Sequence, residues 1–178
     1  MWTFLFLLIA LYFFFNLFSK SEATGNWGHL FPDMVQDPEE FYSLVEQILR
    51  EHQVPEIRTE RKTFKEGGIL SHQRLYLEVA RGDYMYHICA APWGNGFFFS
   101  WWLRKKGGDL LIEKLPILGP IISNANQYDT YYKLDTDAMF RASVQQAVSM
   151  AIDQITKAKG IRELTELERK PDLRSLVK

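Results

Sequence analysis

The chain has 178 residues, a formal net charge of −1 from 21 basic and 22 acidic side chains, and a single cysteine. Balanced charge excludes the strongly basic footprint of a nucleic-acid binder, and the lone Cys89 excludes an intrachain disulfide. Without its first residues the chain still holds enough sequence, about 145 residues, for one domain with a core of its own.

Trp2 to Phe18 read WTFLFLLIALYFFFNLF, with no charged side chain, glycine or proline. Twelve of these 17 residues are Leu, Ile or Phe. At about 1.5 Å per residue the run covers roughly 25 Å, a little less than a hydrocarbon core of ~30 Å. It therefore predicts a spanning helix of minimal length and little tilt. Residues 1–19 are read as a single-pass anchor, with Trp2, Phe4, Leu8, Leu11, Phe14 and Leu17 meeting lipid. Two alternatives stand beside it. A cleaved export signal could use the small residues of Ser21-Glu22-Ala23, but no basic residue precedes the run, which exceeds the usual h-region. A helix buried in an oligomer is the other. Lys20 follows the run, and the positive-inside bias then places the rest of the chain in the cytoplasm.

Residues 20–36 are small and polar at first and read as a linker, with Trp27, Leu30 and Phe31 pinning its second half. Residues 37–178 read as one α+β domain. Asp37-Pro38-Glu39-Glu40 predicts an N-cap carboxylate, Pro at N1, and an acid at N3 reaching back to the cap. Phe41, Leu44, Val45, Ile48 and Leu49 then recur at helical spacing, and the helix ends before Pro55.

Four strands follow: Glu56 to Lys65, Ile69 to Ala80, Tyr84 to Ala91, and Phe97 to Arg104. Gly67-Gly68, Arg81-Gly82-Asp83 and Pro92-Trp93-Gly94-Asn95-Gly96 are the turns, short enough to imply an antiparallel meander. In the second strand Leu75, Leu77 and Val79 oppose Arg74, Tyr76 and Glu78, which predicts one buried and one open face. Residues 110–122 (LLIEKLPILGPII) are apolar but carry two prolines and a glycine, an irregular lid or membrane-contact segment. Tyr128 to Lys133 reads as an extended piece, with Tyr128, Tyr131 and Tyr132 as a rim on the sheet. A long helix is expected from Asp135 or Thr136, with Leu134 and Met139 as a hydrophobic staple. Phe140, Val144, Ala147, Val148, Ala151 and Ile155 form its buried stripe, and Gly160 stops it. Thr165-Glu166-Leu167-Glu168 signals a short last helix. A four-stranded meander with helices on one face is the expected fold.

Three groups of residues could carry chemistry. His87 and Cys89 lie two apart on one strand face, as a nucleophile and its base could, yet no orienting third group and no further ligands for a metal are evident. Asp129, Asp135 and Asp137 gather where the long helix begins, and helix capping accounts for them as well as a carboxylate site would. The third group is a basic, aromatic and apolar succession suited to an anionic membrane face: Trp101, Trp102, Arg104, Lys105, Lys106, Leu111, Leu115, Leu118 and Ile122. No cofactor, metal or catalytic set follows from these patterns.

The expected function is accordingly a membrane-tethered, non-enzymatic interaction module, with the bilayer and a membrane-protein partner as its contacts. The alternatives are a lipid or apolar-ligand binder, and a membrane-associated enzyme using His87 or the Asp129, Asp135 and Asp137 cluster. The anchor reading is checked by alkaline extraction of membranes. The full chain is expected to stay in the pellet, and a chain lacking residues 2–18 to move to the supernatant.

Overall fold

The computed structural model describes residues 22–67, 72–105 and 131–171. In chain order these form strand β1 (Glu22–Phe31), helix α1 (Pro38–Glu51), strands β2 (Arg58–Lys65), β3 (Gln73–Arg81), β4 (Tyr84–Trp93) and β5 (Gly96–Lys105), and helix α2 (Tyr131–Ala158). The strands make one antiparallel sheet of order β1-β5-β4-β3-β2. Among the described residues no helix is long and apolar enough to cross a membrane. The apolar run Trp2–Phe18 and the segment 110–122 lie outside the described residues.

The meander is an α+β sheet as expected, but with five strands rather than four. The stretch read as a linker holds β1, which pairs with β5 from Glu22↔Lys105 to Phe31↔Phe97 with a bulge between Ala23 and Gly25. Its glycines hid the strand signal, yet they have a structural use. A Cβ on Gly28 would stand 2.7 Å from the Phe98 ring, so the glycine lets that ring lie across β1.

Helix α1 begins as its sequence predicts: the Asp37 carboxylate accepts from the Glu39 N–H at 3.0 Å. Glu40, however, accepts from the Gln36 side chain at 2.7 Å instead of closing a capping box. Helix α2 starts earlier than expected and includes Tyr131 to Lys133, so Asp135 and Asp137 are not at its cap. Tyr131, Tyr132, Leu134 and Met139 are exposed, which removes both the tyrosine rim and the staple. Gly160, at φ +67°, ends the helix, with the Ile161 N–H reaching back to the Thr156 carbonyl at 2.9 Å. At Thr165–Glu168 the reciprocal capping bonds form, but they close a turn and no helix follows among the described residues.

The core lies between the helices and one sheet face, set by the period-2 alternation of the strands. Tyr86, Ile88 and Ala90 from β4 and Phe97, Phe99, Trp101 and Leu103 from β5 are buried there. They pack against Phe41, Val45 and Ile48 of α1 and Phe140, Val144 and Val148 of α2. Phe99 meets Phe31, Phe41 and Phe97 with ring centroids 4.7 to 5.8 Å apart, in tilted and edge-on geometry. At the edge, Arg61 of β2 holds both oxygens of Glu46 at 3.0 and 3.2 Å and Glu39 at 3.0 Å, tying β2 to α1.

The sheet forks. β3 pairs with β4 only from Arg81↔Tyr84 to Tyr76↔Cys89. β2 follows β3 on to Lys65↔Gln73, and β5 follows β4 on to Trp93↔Gly96. Pro92 keeps the strands apart beyond Ala90. Ala90 turns its N–H toward β3, and two residues on Pro92 occupies the equivalent position with no N–H to give. The Tyr42 hydroxyl of α1 plugs the fork. It donates to the Leu75 carbonyl at 2.8 Å and accepts from the Ala90 N–H at 2.9 Å, in place of a ladder bond. Burial pushes the Tyr42 phenol well above its ordinary range, so it remains a donor. Tyr42→Phe leaves both backbone groups buried without that partner. It is expected to cost about 2 kcal/mol of stability, read by urea unfolding, with faster hydrogen exchange at the Ala90 amide.

Candidate binding face

The sheet face away from the helices carries the candidate site. Four large apolar side chains of the strands are exposed, Leu30, Phe64, Trp93 and Trp102, and register places all four on this face. An open sheet face ordinarily carries polar residues, so this apolar content is a departure that calls for a use.

Across the middle of the face runs a chain of ionic contacts. Glu78 of β3 stands directly opposite His87 of β4, and its carboxylate meets the His87 Nε2 at 3.0 Å. Its other oxygen accepts from the Lys62 Nζ at 2.8 Å, and Lys62 also lies 3.6 Å from Glu60. Glu60 and Glu78 are directly opposite across β2 and β3, so Lys62 offsets a like-charge pair. Burial acts to raise the Glu78 pKa, but the bonds from Lys62 and His87 outweigh it and hold the carboxyl below its ordinary range. Burial lowers the His87 imidazole, against the pull of Glu78. The Phe64 ring stands edge-on to both His87 and Tyr76, with centroids 5.1 and 5.3 Å apart.

His87 and Cys89 do share a face, as their spacing predicts. They do not form a thiol–imidazole pair: His87 is bonded to Glu78, while Cys89 interacts with Arg74, Tyr76 and Ser100. Cys89 is 1% exposed, and burial pushes its thiol up, away from the thiolate a nucleophile needs. Among the described residues no group of three or more His, Cys, Asp or Glu could hold a metal ion. Asp135 and Asp137 sit two apart on a helix and therefore face different directions; Asp129 lies outside the described residues.

The expected membrane-contact residues separate. Trp101 is 3% exposed and packs edge-on against Tyr86, and Lys105 lies over the Tyr84 ring on the helix side. Trp101 is thus removed from any surface contact. Trp102 and Arg104 belong to the helix-free face, while Lys106, Leu111, Leu115, Leu118 and Ile122 lie outside the described residues.

Among the described residues, clefts open on this face. One of about 320 Å³ is lined by Ala23, Phe64, Tyr76, His87, Trp102 and Arg104. A second of about 320 Å³ adjoins it across Phe64 and Tyr76 and continues past Arg74 to Trp93, in the fork where β3 leaves β4. A third of about 660 Å³ lies beside Lys62, Glu78 and Met85 and has no aromatic wall. Alternation marks Tyr76 and Glu78 for the open face from sequence alone, whereas the strand of His87 is apolar on both sides. The juxtaposition of Phe64, Trp93 and Trp102 depends on strand order and register, which sequence does not display.

No protein-family model matches the chain, and no curated protein or solved structure matches it.

The titration of this face sets a pH dependence. A histidine whose folded pKa lies below its unfolded value leaves the unfolded chain binding more protons as pH falls from about 7 to 5, so stability declines across that window. Glu78 adds a decline of the same sign below the ordinary carboxylate range. In an NMR titration the His87 imidazole is expected to protonate below its ordinary value. His87→Gln should flatten the loss of stability between about pH 7 and 5, with a remainder from His29, whose imidazole burial also lowers.

Proposed function

We propose that the chain is a non-enzymatic binding module, tethered to a membrane by Trp2–Phe18, that docks a membrane-protein partner through the helix-free face of its sheet. The observation that carries this reading is the collection of Leu30, Phe64, Trp93 and Trp102 on that one face. Exposed apolar side chains gathered on one surface and interleaved with charges mark interaction sites. The chemistry of the face supports binding over catalysis. Cys89 is buried, His87 is occupied by Glu78, and Glu78 is neutralised by Lys62. Lys62, Glu78 and His87 are held by one another, which suits a preformed surface.

A tether of this kind raises the local concentration of partners in the same membrane, so a modest face can bind usefully. Lipid or apolar-ligand binding is a second reading, favoured by the two adjoining aromatic clefts.

Site-specific photo-cross-linking tests the docking surface. A benzophenone side chain at Trp102 or Phe64 of the full chain, in native membranes, is expected to give discrete adducts with a membrane protein. The same group at Gln146, exposed on α2, should give none. Adducts of equal yield from all three positions, or none from Trp102 and Phe64, overturn the assignment.

A further inference from the structure

The two adjoining clefts have a composition that the docking reading leaves unused. Phe64, Tyr76 and Trp102 wall the first, and Trp93 closes the far end of the second. These rings line a path across the face that begins beside Ala23 and runs into the fork where β3 leaves β4. Among the described residues that line it, the first cleft has no carboxylate and one guanidinium, from Arg104. In the second, Glu66 is outnumbered by Lys65 and Arg74. A guanidinium carries N–H donors in a planar fork that matches a carboxylate, so Arg104 and Arg74 are the groups along this path suited to an acid. At about 320 Å³ each, the clefts sit at the lower end of the ligand-site range, which suits one chain and not a two-chain lipid.

Part of the wall is also held in place. His87 is fixed by Glu78 at 3.0 Å, and Phe64 is set edge-on against His87 and Tyr76. Beneath the fork the Tyr42 hydroxyl keeps Leu75 and Ala90 spaced from the helix side. Fixing these parts of the floor and wall before binding lowers the entropy lost on accepting a ligand.

We propose that the path from Ala23 and Trp102 to the fork beside Trp93 binds a free single-chain amphiphilic acid, its apolar chain between the aromatic walls and its acid group at the arginines. The proposal rests on the helix-free face being the working surface of the domain, and it goes beyond that reading by naming a small ligand.

The test uses the full chain in phosphatidylcholine nanodiscs with cis-parinaric acid as the probe, reading energy transfer from tryptophan to the polyene. Expected is saturable transfer with one site per chain above that of empty nanodiscs. Palmitate should displace the probe at least tenfold more effectively than hexadecanol, which lacks the acid. Phosphatidylglycerol built into the discs should not displace it. Phe64→Glu and the cleft-filling Ala23→Trp should each weaken binding tenfold or more, both positions being exposed and outside the core. Gln146→Glu on α2 should leave it unchanged.

Absence of a saturable component, equal displacement by hexadecanol, displacement by phosphatidylglycerol, or unaltered binding in both cleft variants overturns the proposal. If cross-linking from Trp102 persists while parinarate binding fails, the face is a docking surface and the ligand assignment is wrong. If parinarate binds as expected while cross-linking fails, the ligand site stands and the partner reading falls.

Discussion

Much of this structure depends on one hydroxyl between two strands. β3 and β4 part after the Tyr76↔Cys89 pair: at the next ladder position the Tyr42 hydroxyl stands between the Leu75 carbonyl and the Ala90 N–H, and two residues further on Pro92 has no N–H to give. A parted sheet leaves buried backbone groups without partners, which is costly. Tyr42 reaches up from α1 and satisfies Leu75 and Ala90 together. The same contact docks α1 on the sheet and supports the fork from below. On the other face the fork is a cleft. Packing on one side and a concave surface on the other thus share one cause.

The two faces of the sheet differ in character because side chains alternate. Along β4 and β5 one set of residues is buried under the helices, among them Tyr86, whose phenol burial pushes up to about 12, and Trp101 packed against it. The other set, including His87, Trp102 and Arg104, looks away from the helices. An ionic chain of Lys62, Glu78 and His87 is maintained there without water-filled separation, each group within 3.0 Å of its neighbour. Such a chain orders the side chains it joins.

Several elements were legible in the sequence for physical reasons. Asp37-Pro38 announces a helix because a carboxylate satisfies a free N–H and proline tolerates the first turn. Leu75, Leu77 and Val79 announce a half-buried strand because their spacing matches the pleat. β1 was not legible: Gly25 and Gly28 lower strand propensity, and the strand is held mainly by its pairing with β5, a partner about seventy residues away. The start of α2 was misplaced for a related reason. Thr136 resembles a cap, but its hydroxyl bonds the Tyr132 carbonyl inside a helix already under way.

Sequence by itself determined the apolar run at Trp2–Phe18, the helical stripes, the existence of β2 to β5, and the alternation of β2 and β3. These are local properties, carried by spacing along the chain. Only the tertiary structure decided that Glu78 meets His87, that Trp101 is core while Trp102 is surface, and that Phe64, Trp93 and Trp102 line one face. Those facts require strand order, register and the fork, which arise from pairing between distant segments. A single pair, Pro92 and Tyr42, shows the difference: each residue is ordinary in the sequence, and their joint effect appears only when α1 lies across the sheet.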